Sequence, residues 1–267
     1  MAFSLANFLR PAPFACVLLL QSVCAFAAEP VRHIAIYVEP FYRSAASADQ
    51  RPQVAIGASL SGLLTSTRRE DILEARDKIL ADPKLITPMT MMVLAIRLYD
   101  VGLRDDAVFW FYVAKDRHIT LSEVLDIEQS GLTQAGDAVR SFATLAGPVI
   151  NGYAFCDLAR QKELRAKALA WVEQNSYQAI FMDRFTAKPG DRAANLARAI
   201  RAARQNVEKE QAYFADPKHV ADFYATRSRN EADTKFFCVI VNRSLPFEQS
   251  VKFSGYEPNS LLGAGTG

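Results

Sequence analysis

Two neighbouring segments constrain the centre of this fold more than anything else in the chain. From Pro88 to Val101 the sequence places Met89, Met91, Met92, Val93, Leu94, Ile96, Leu98 and Tyr99, and after a short turn it continues in the unbroken run Ala107-Val-Phe-Trp-Phe-Tyr-Val-Ala114. A helix through either segment is apolar nearly all round, and such helices are buried on more than one side. Both fall short of the roughly 20 apolar residues that cross a bilayer, and they carry Arg97 and Lys115, so they are not membrane spans. They predict a buried helical hairpin at the core of a folded domain.

The remaining pattern from about 63 to 233 is helical. Thr67 with Glu70 reads as a capping box for a helix bearing Ile72, Ala75, Ile79 and Leu80, stopped at Asp82-Pro83. Thr87-Pro88 caps the next, because proline at the first helical position loses no intrahelical bond, and Gly102 ends it. A third helix is expected from Asp105 or Asp106 to about Arg117. Thr120 with Glu123 reads as a second capping box, and further helical patterns cover 134–146, 152–174, 191–213 and 217–233, the last opened by Asp216-Pro217. Alternating apolar residues predict strands at 32–38 and 53–57, joined by a mobile loop over 39–52, and the β-branched run at 236–241 predicts a third. The expected fold is mainly α, a helical-hairpin domain with a small β-sheet from its N- and C-terminal segments. It is read as one domain over 28–259 with a flexible tail at 260–267.

The first residues are a targeting segment. Arg10 precedes an apolar run from Phe14 to Phe26 that closes in Ala25-Phe26-Ala27, a positive n-region, a short h-region and a small-residue cleavage site. Removing residues 1–27 of the 267 leaves 240. Neither Cys16 nor Cys24 follows a lipoprotein-type box, so no lipid anchor and no stable membrane anchor is expected after cleavage. The chain is therefore read as periplasmic or secreted. Two cysteines stay in the mature protein, Cys156 and Cys238; an oxidising compartment permits a disulfide between them, and two buried free thiols fit the sequence equally well.

The pattern Leu98-Tyr99-x-x-Gly102, a short acidic turn, then Ala107-x-x-Trp110-Phe111-x-x-Ala114 resembles the Sel-like subfamily of tetratricopeptide repeats over about residues 94–114. Small Ala107 and Ala114 let two helices approach while Trp110 fills the groove between them. The resemblance implies a helical hairpin used for protein binding. A second Ala-x-x-Trp, Ala168 to Trp171, lacks the preceding Tyr-x-x-Gly, and no third copy follows. The alternative is a helical core that uses Ala and Trp where two helices touch.

Recognisable chemistry is sparse. With 31 Lys and Arg against 29 Asp and Glu, the net charge of +2 gives no field that would attract nucleic acid. Gly57-Ala-Ser59-Leu-Ser61-Gly62 approaches a nucleophile elbow, but Ser61 stands where the second glycine belongs. There is no glycine-rich phosphate loop, no His-Glu-x-x-His and no Cys-x-x-Cys, so no cofactor and no metal is expected. Glu70-Asp71 and Asp105-Asp106 read as acids answering helix dipoles, and Lys115-Asp116-Arg117-His118 as the charged end of a helix. Arg192, Arg198, Arg201 and Arg204 read as a solvated face, and Asn242-Arg-Ser244 fits a glycosylation acceptor relevant only in a eukaryotic host. Two readings of function follow. One is an exported protein-binding or adaptor protein, neutralisation of a secreted effector being one form of it, with Arg97, Arg104, Asp105 and Asp106 as an exposed partner surface at the hairpin tip. The other is an exported hydrolase using Ser59, Ser61 or Cys156.

Overall fold

The computed structural model describes residues 31–34 and 58–238. The leader, the loop at 39–52, the strand expected at 53–57, the acceptor at Asn242 and the tail at 260–267 lie outside them. Within them the chain is mainly helical: α1 Ala58–Thr65, α2 Arg69–Ala81, α3 Pro88–Asp100, α4 Arg104–Val124, α5 Thr133–Ala154, α6 Leu158–Gln174, a 3₁₀ turn Gln178–Phe181, α7 Arg192–Tyr213, α8 Pro217–Arg229 and α9 Ala232–Lys235.

Local chemistry opens and closes the central hairpin. The Thr87 hydroxyl accepts from the Thr90 N–H at 3.1 Å with Pro88 in the first turn. At the other end Gly102, at φ 83°, donates to the Tyr99 carbonyl at 3.0 Å while Leu103 donates to Leu98 at 2.8 Å. That pair of bonds satisfies the last carbonyls of α3 and needs the left-handed conformation only glycine adopts without cost. The reversal brings α4 back along α3. Every residue of α3 from Pro88 to Tyr99 except Arg97 is buried, which is the burial an all-round apolar helix requires.

The helix α4 is the hub, packing on α3, α5, α6 and α7. It runs on to Val124, through the position where a new helix is expected at Thr120. The Thr120 hydroxyl caps nothing; it donates back to the Arg117 carbonyl at 3.0 Å inside the helix. The capping box expected at Thr67 likewise does not form: α2 starts after Arg68 with no side-chain cap, and the Ser66 hydroxyl accepts from the Arg68 N–H at 3.1 Å and donates to Asp71 at 2.5 Å. The helix α5 continues through Gly147-Pro148, where the pattern suggested a gap; burial of Ala146 and Ile150 on either side offsets the amide hydrogen bond that proline cannot make. The break falls instead at Asp157, which caps α6 by accepting from the Arg160 N–H at 3.0 Å.

The expected sheet is not present among the described residues, where the β-structure is an isolated bridge between Leu125 and Ala187. The third strand is overturned at its start, because α9 runs into a turn at Phe236 and Phe237, the latter at φ 65°. The two ends of the domain do meet. The Val31 N–H donates to the Lys235 carbonyl at 2.8 Å, and the N-terminal segment is held on α3 by the Tyr99 hydroxyl donating to the Val31 carbonyl at 2.9 Å and by the Ile34 N–H donating to Asp100 at 2.8 Å. Cys156 and Cys238 are joined, with sulfurs 2.01 Å apart. The bond fastens the C-terminal turn to the end of α5, where Arg227 also donates to the Gly152 carbonyl at 2.9 Å.

Candidate functional site

One face of α4 turns away from α3 and carries Tyr112, Lys115, Asp116 and Ile119, at the i, i+3, i+4, i+7 spacing that aligns side chains along a helix. Opposite stand Asn151 and Phe155 at the end of α5, Arg165 of α6, and Asn206, Val207 and Glu210 of α7. Between them lies a cavity of about 200 Å³. Asp116 is buried and held by the Arg165 guanidinium through two contacts, one of them 2.9 Å. Burial raises its carboxyl, with the Arg165 charge opposing. The Gln161 amide donates to both the Tyr112 hydroxyl, at 3.2 Å, and Glu210, at 2.7 Å, while Tyr112 donates to the Asn151 side-chain oxygen at 3.2 Å. Burial pushes the Tyr112 phenol up to about 12, so it stays a proton donor.

Lys115 differs from its neighbours. Its ammonium lies 5.4 Å from the Phe111 ring centre and makes no ion pair or hydrogen bond among the described residues. Burial lowers its pKa and the Arg165 charge adds to that, against the pull of Asp116 and Glu210. Such a constellation can hold a polar ligand; the phenol is kept protonated and the buried acid is locked to an arginine.

Phe155 joins the cleft to an aromatic lip. Its ring centre lies 5.8 Å from Phe214 and 5.5 Å from Phe223, which are 5.2 Å from each other. Tyr213 and Tyr224 extend the patch outward, His219 stacking on Tyr213 at 4.2 Å. The turn that brings these rings together is set by Asp216, which caps α8 by accepting from the Lys218 N–H at 2.8 Å.

A second cavity, of about 260 Å³ and walled mainly by apolar side chains, lies between the start of α3, the end of α4 and the start of α5, with His118 on its wall against Gly136. Burial lowers the His118 pKa from its ordinary 6.5, and the Arg140 charge lowers it further. Folded His118 thus binds its proton less tightly than unfolded His118. The stability it contributes is complete above about pH 6.5 and is lost as pH falls through that value and the lower folded pKa. Melting curves between about pH 8 and pH 5 should show a decline on acidification that is shallower in His118→Gln; parallel curves for the two proteins would contradict this.

An uncharacterised protein of Haemophilus influenzae is 30% identical to this chain over 223 residues, which is 84% of this chain and 86% of that protein. The chain belongs to its family. The match is far longer than the hairpin at 94–114, so the family extends well beyond that segment. No protein-family model matches the chain, and no solved structure matches it.

In this member of the family the residues expected at an exposed hairpin tip have other tasks. Asp106 is 4% exposed and pairs with Arg76 at 3.1 Å. Arg97 is half-buried, paired with Asp100 at 2.9 Å and donating to the Ser66 carbonyl at 2.7 Å. Arg104 lies over the Phe237 ring at 3.8 Å, and Asp105 accepts from Tyr153 at 3.0 Å and from Arg160 at 3.0 Å. Their expected exposure is corrected because α2, α6 and the C-terminal turn close over the tip. Ser59 and Ser61 lie in α1; the Ser59 side chain is outside the described residues, and no described residue acts as a base to Ser61. The Cys156 sulfur is bonded to Cys238 and offers no thiolate. Lys115, Asp116, Arg165 and Glu210 were not singled out as a site from the sequence, although the 112, 115, 116, 119 spacing marks one face.

Proposed function

We propose that the protein is an exported binding protein of the bacterial envelope, acting in the periplasm or outside the cell by holding a partner protein and not by turning over a substrate. The aromatic patch at the α7–α8 turn carries this reading. Tyr213 is 51% and Tyr224 37% exposed over half-buried Phe214 and Phe223, and Tyr and Phe are the residues enriched where protein surfaces meet. The partner it suits is a folded protein that inserts an apolar side chain between these rings. Export rests on the leader sequence. The α3–α4 hairpin is read as a Sel-like unit that serves as the rigid support of the binding face, in keeping with its burial.

The test uses the full chain, tagged at its C-terminus and expressed in the native host. The osmotic-shock fraction should contain protein beginning at Ala28 or Glu29, and affinity capture should recover one stoichiometric partner. Tyr213→Ser with Tyr224→Ser should lose that partner while Tm falls by no more than about 5 °C, the loss expected for two partly exposed rings with a few aromatic contacts each. If the double variant retains the partner, this surface is wrong; if the chain is cytosolic and keeps Met1, export is wrong.

A further inference from the structure

The cleft beneath the aromatic lip has features that a protein-binding face does not require. Asp116 and Arg165 neutralise each other, which leaves one cation and one carboxylate in the same cavity. Lys115 makes no ion pair or hydrogen bond among the described residues, and Glu210 has only its Oε1 engaged by Gln161. The two make no ion pair with each other. Asn206 adds an amide with no described partner, and the Asn151 amide nitrogen remains free to donate because Tyr112 uses only its oxygen.

A lone anion drawn to Lys115 would also meet Glu210, and a lone cation drawn to Glu210 would meet Lys115; each would forfeit much of its attraction to a like charge at close range. A ligand carrying both charges satisfies both groups. Phe155, Ile119 and Val207 form the apolar wall beside them. At about 200 Å³ the cavity falls below the roughly 300–1,000 Å³ of pockets that hold drug-sized ligands, so it suits a small one.

We propose that this cleft binds a small zwitterion of the amino-acid or dipeptide class, its carboxylate on Lys115 and the neighbouring amides and its ammonium on the free oxygen of Glu210. The proposal is independent of the partner face, because it concerns the interior of the cleft and not the exposed rings.

Thermal shift and calorimetry on the full mature protein, with the twenty amino acids and dialanine as probes, test it. At least one free zwitterion should bind saturably, and its N-acetyl and C-amide forms should each bind at least tenfold more weakly. In Lys115→Gln the zwitterion and its amide should become equivalent, with Lys115→Arg restoring the preference; in Glu210→Gln the zwitterion and its N-acetyl form should become equivalent. The analogue series on wild type stands even if a variant misfolds. Absence of saturable binding by every probe, or equal binding of the free and blocked forms, overturns the proposal. Loss of the partner on Tyr213 and Tyr224 substitution bears on the other reading alone.

Discussion

Arg117→Ala is expected to lower Tm by about 10 °C or more and to cost on the order of 4 kcal/mol, a large share of the roughly 5–15 kcal/mol that holds a domain together. Arg117 is 0% exposed in the middle of α4, and no carboxylate pairs with it among the described residues. Its guanidinium instead donates to the carbonyls of Pro83 at 2.7 Å, Ile86 at 2.8 Å and Asn175 at 2.6 Å, and it lies 5.2 Å from the Trp171 ring centre and 5.4 Å from that of Tyr177. One side chain therefore ties the α2–α3 loop and the end of α6 to the hub helix. Burial without a counter-charge lowers its pKa to about 10, so the charged form is already held at a cost. Alanine relieves that cost but removes the guanidinium donor from three part-buried carbonyls, of which that of Pro83 still accepts from the Ile86 N–H at 3.3 Å. A buried carbonyl left without a donor costs about 1–3 kcal/mol, and the packing of the guanidinium against Trp171 and Tyr177 is lost as well. Arg117→Lys keeps the charge but cannot present the planar fork, and should recover only part of the loss. Urea denaturation of the three proteins measures this. An Arg117→Ala variant that melts within a few degrees of wild type would show that water or a backbone shift satisfies those carbonyls.

Trp110→Ala should cost about 3–5 kcal/mol, the usual result of emptying an aromatic core site. Trp110 is 2% exposed, and its ring stands edge-on to Trp171 with centres 5.3 Å apart and to Phe109 at 5.4 Å. The two Ala-x-x-Trp strings are thus partners in space, α4 meeting α6 ring against ring. Trp171 is only half-buried, so Trp171→Ala should cost less. The double variant should show a coupling of about 0.5–1.5 kcal/mol, the range found for edge-to-face aromatic pairs. Additive losses would mean that each ring packs independently, and a Trp110→Ala protein as stable as wild type would mean that the α4–α6 contact is not what holds the core.

What the sequence by itself determined is local. Thr87-Pro88, Gly102 and Asp216 mark helix ends because each end is settled by atoms within a few residues: the Asp216 carboxylate, for instance, accepts from the Lys218 N–H at 2.8 Å. The all-round apolar character of 88–101 and 107–114 likewise required a buried hairpin wherever the rest of the chain went. The charged residues were a different matter. Lys115-Asp116-Arg117-His118 has the composition of a frayed helix end, yet Asp116 and Arg117 are buried, their partners Arg165 and Asn175 standing 49 and 58 positions away. Asp106 looks like a helix-start acid and instead meets Arg76, 30 positions back. Thr120 with Glu123 has the capping-box pattern, but burial of Val124 and Leu125 against Ile180 extends the helix past it. Helical periodicity assigns a side chain to a face, and only the tertiary structure decides what covers that face. A charge's stability depends on whether water or a partner brought in from elsewhere surrounds it, so the arrangement of Lys115, Asp116, Arg165 and Glu210 around one cavity was decided by helix packing alone.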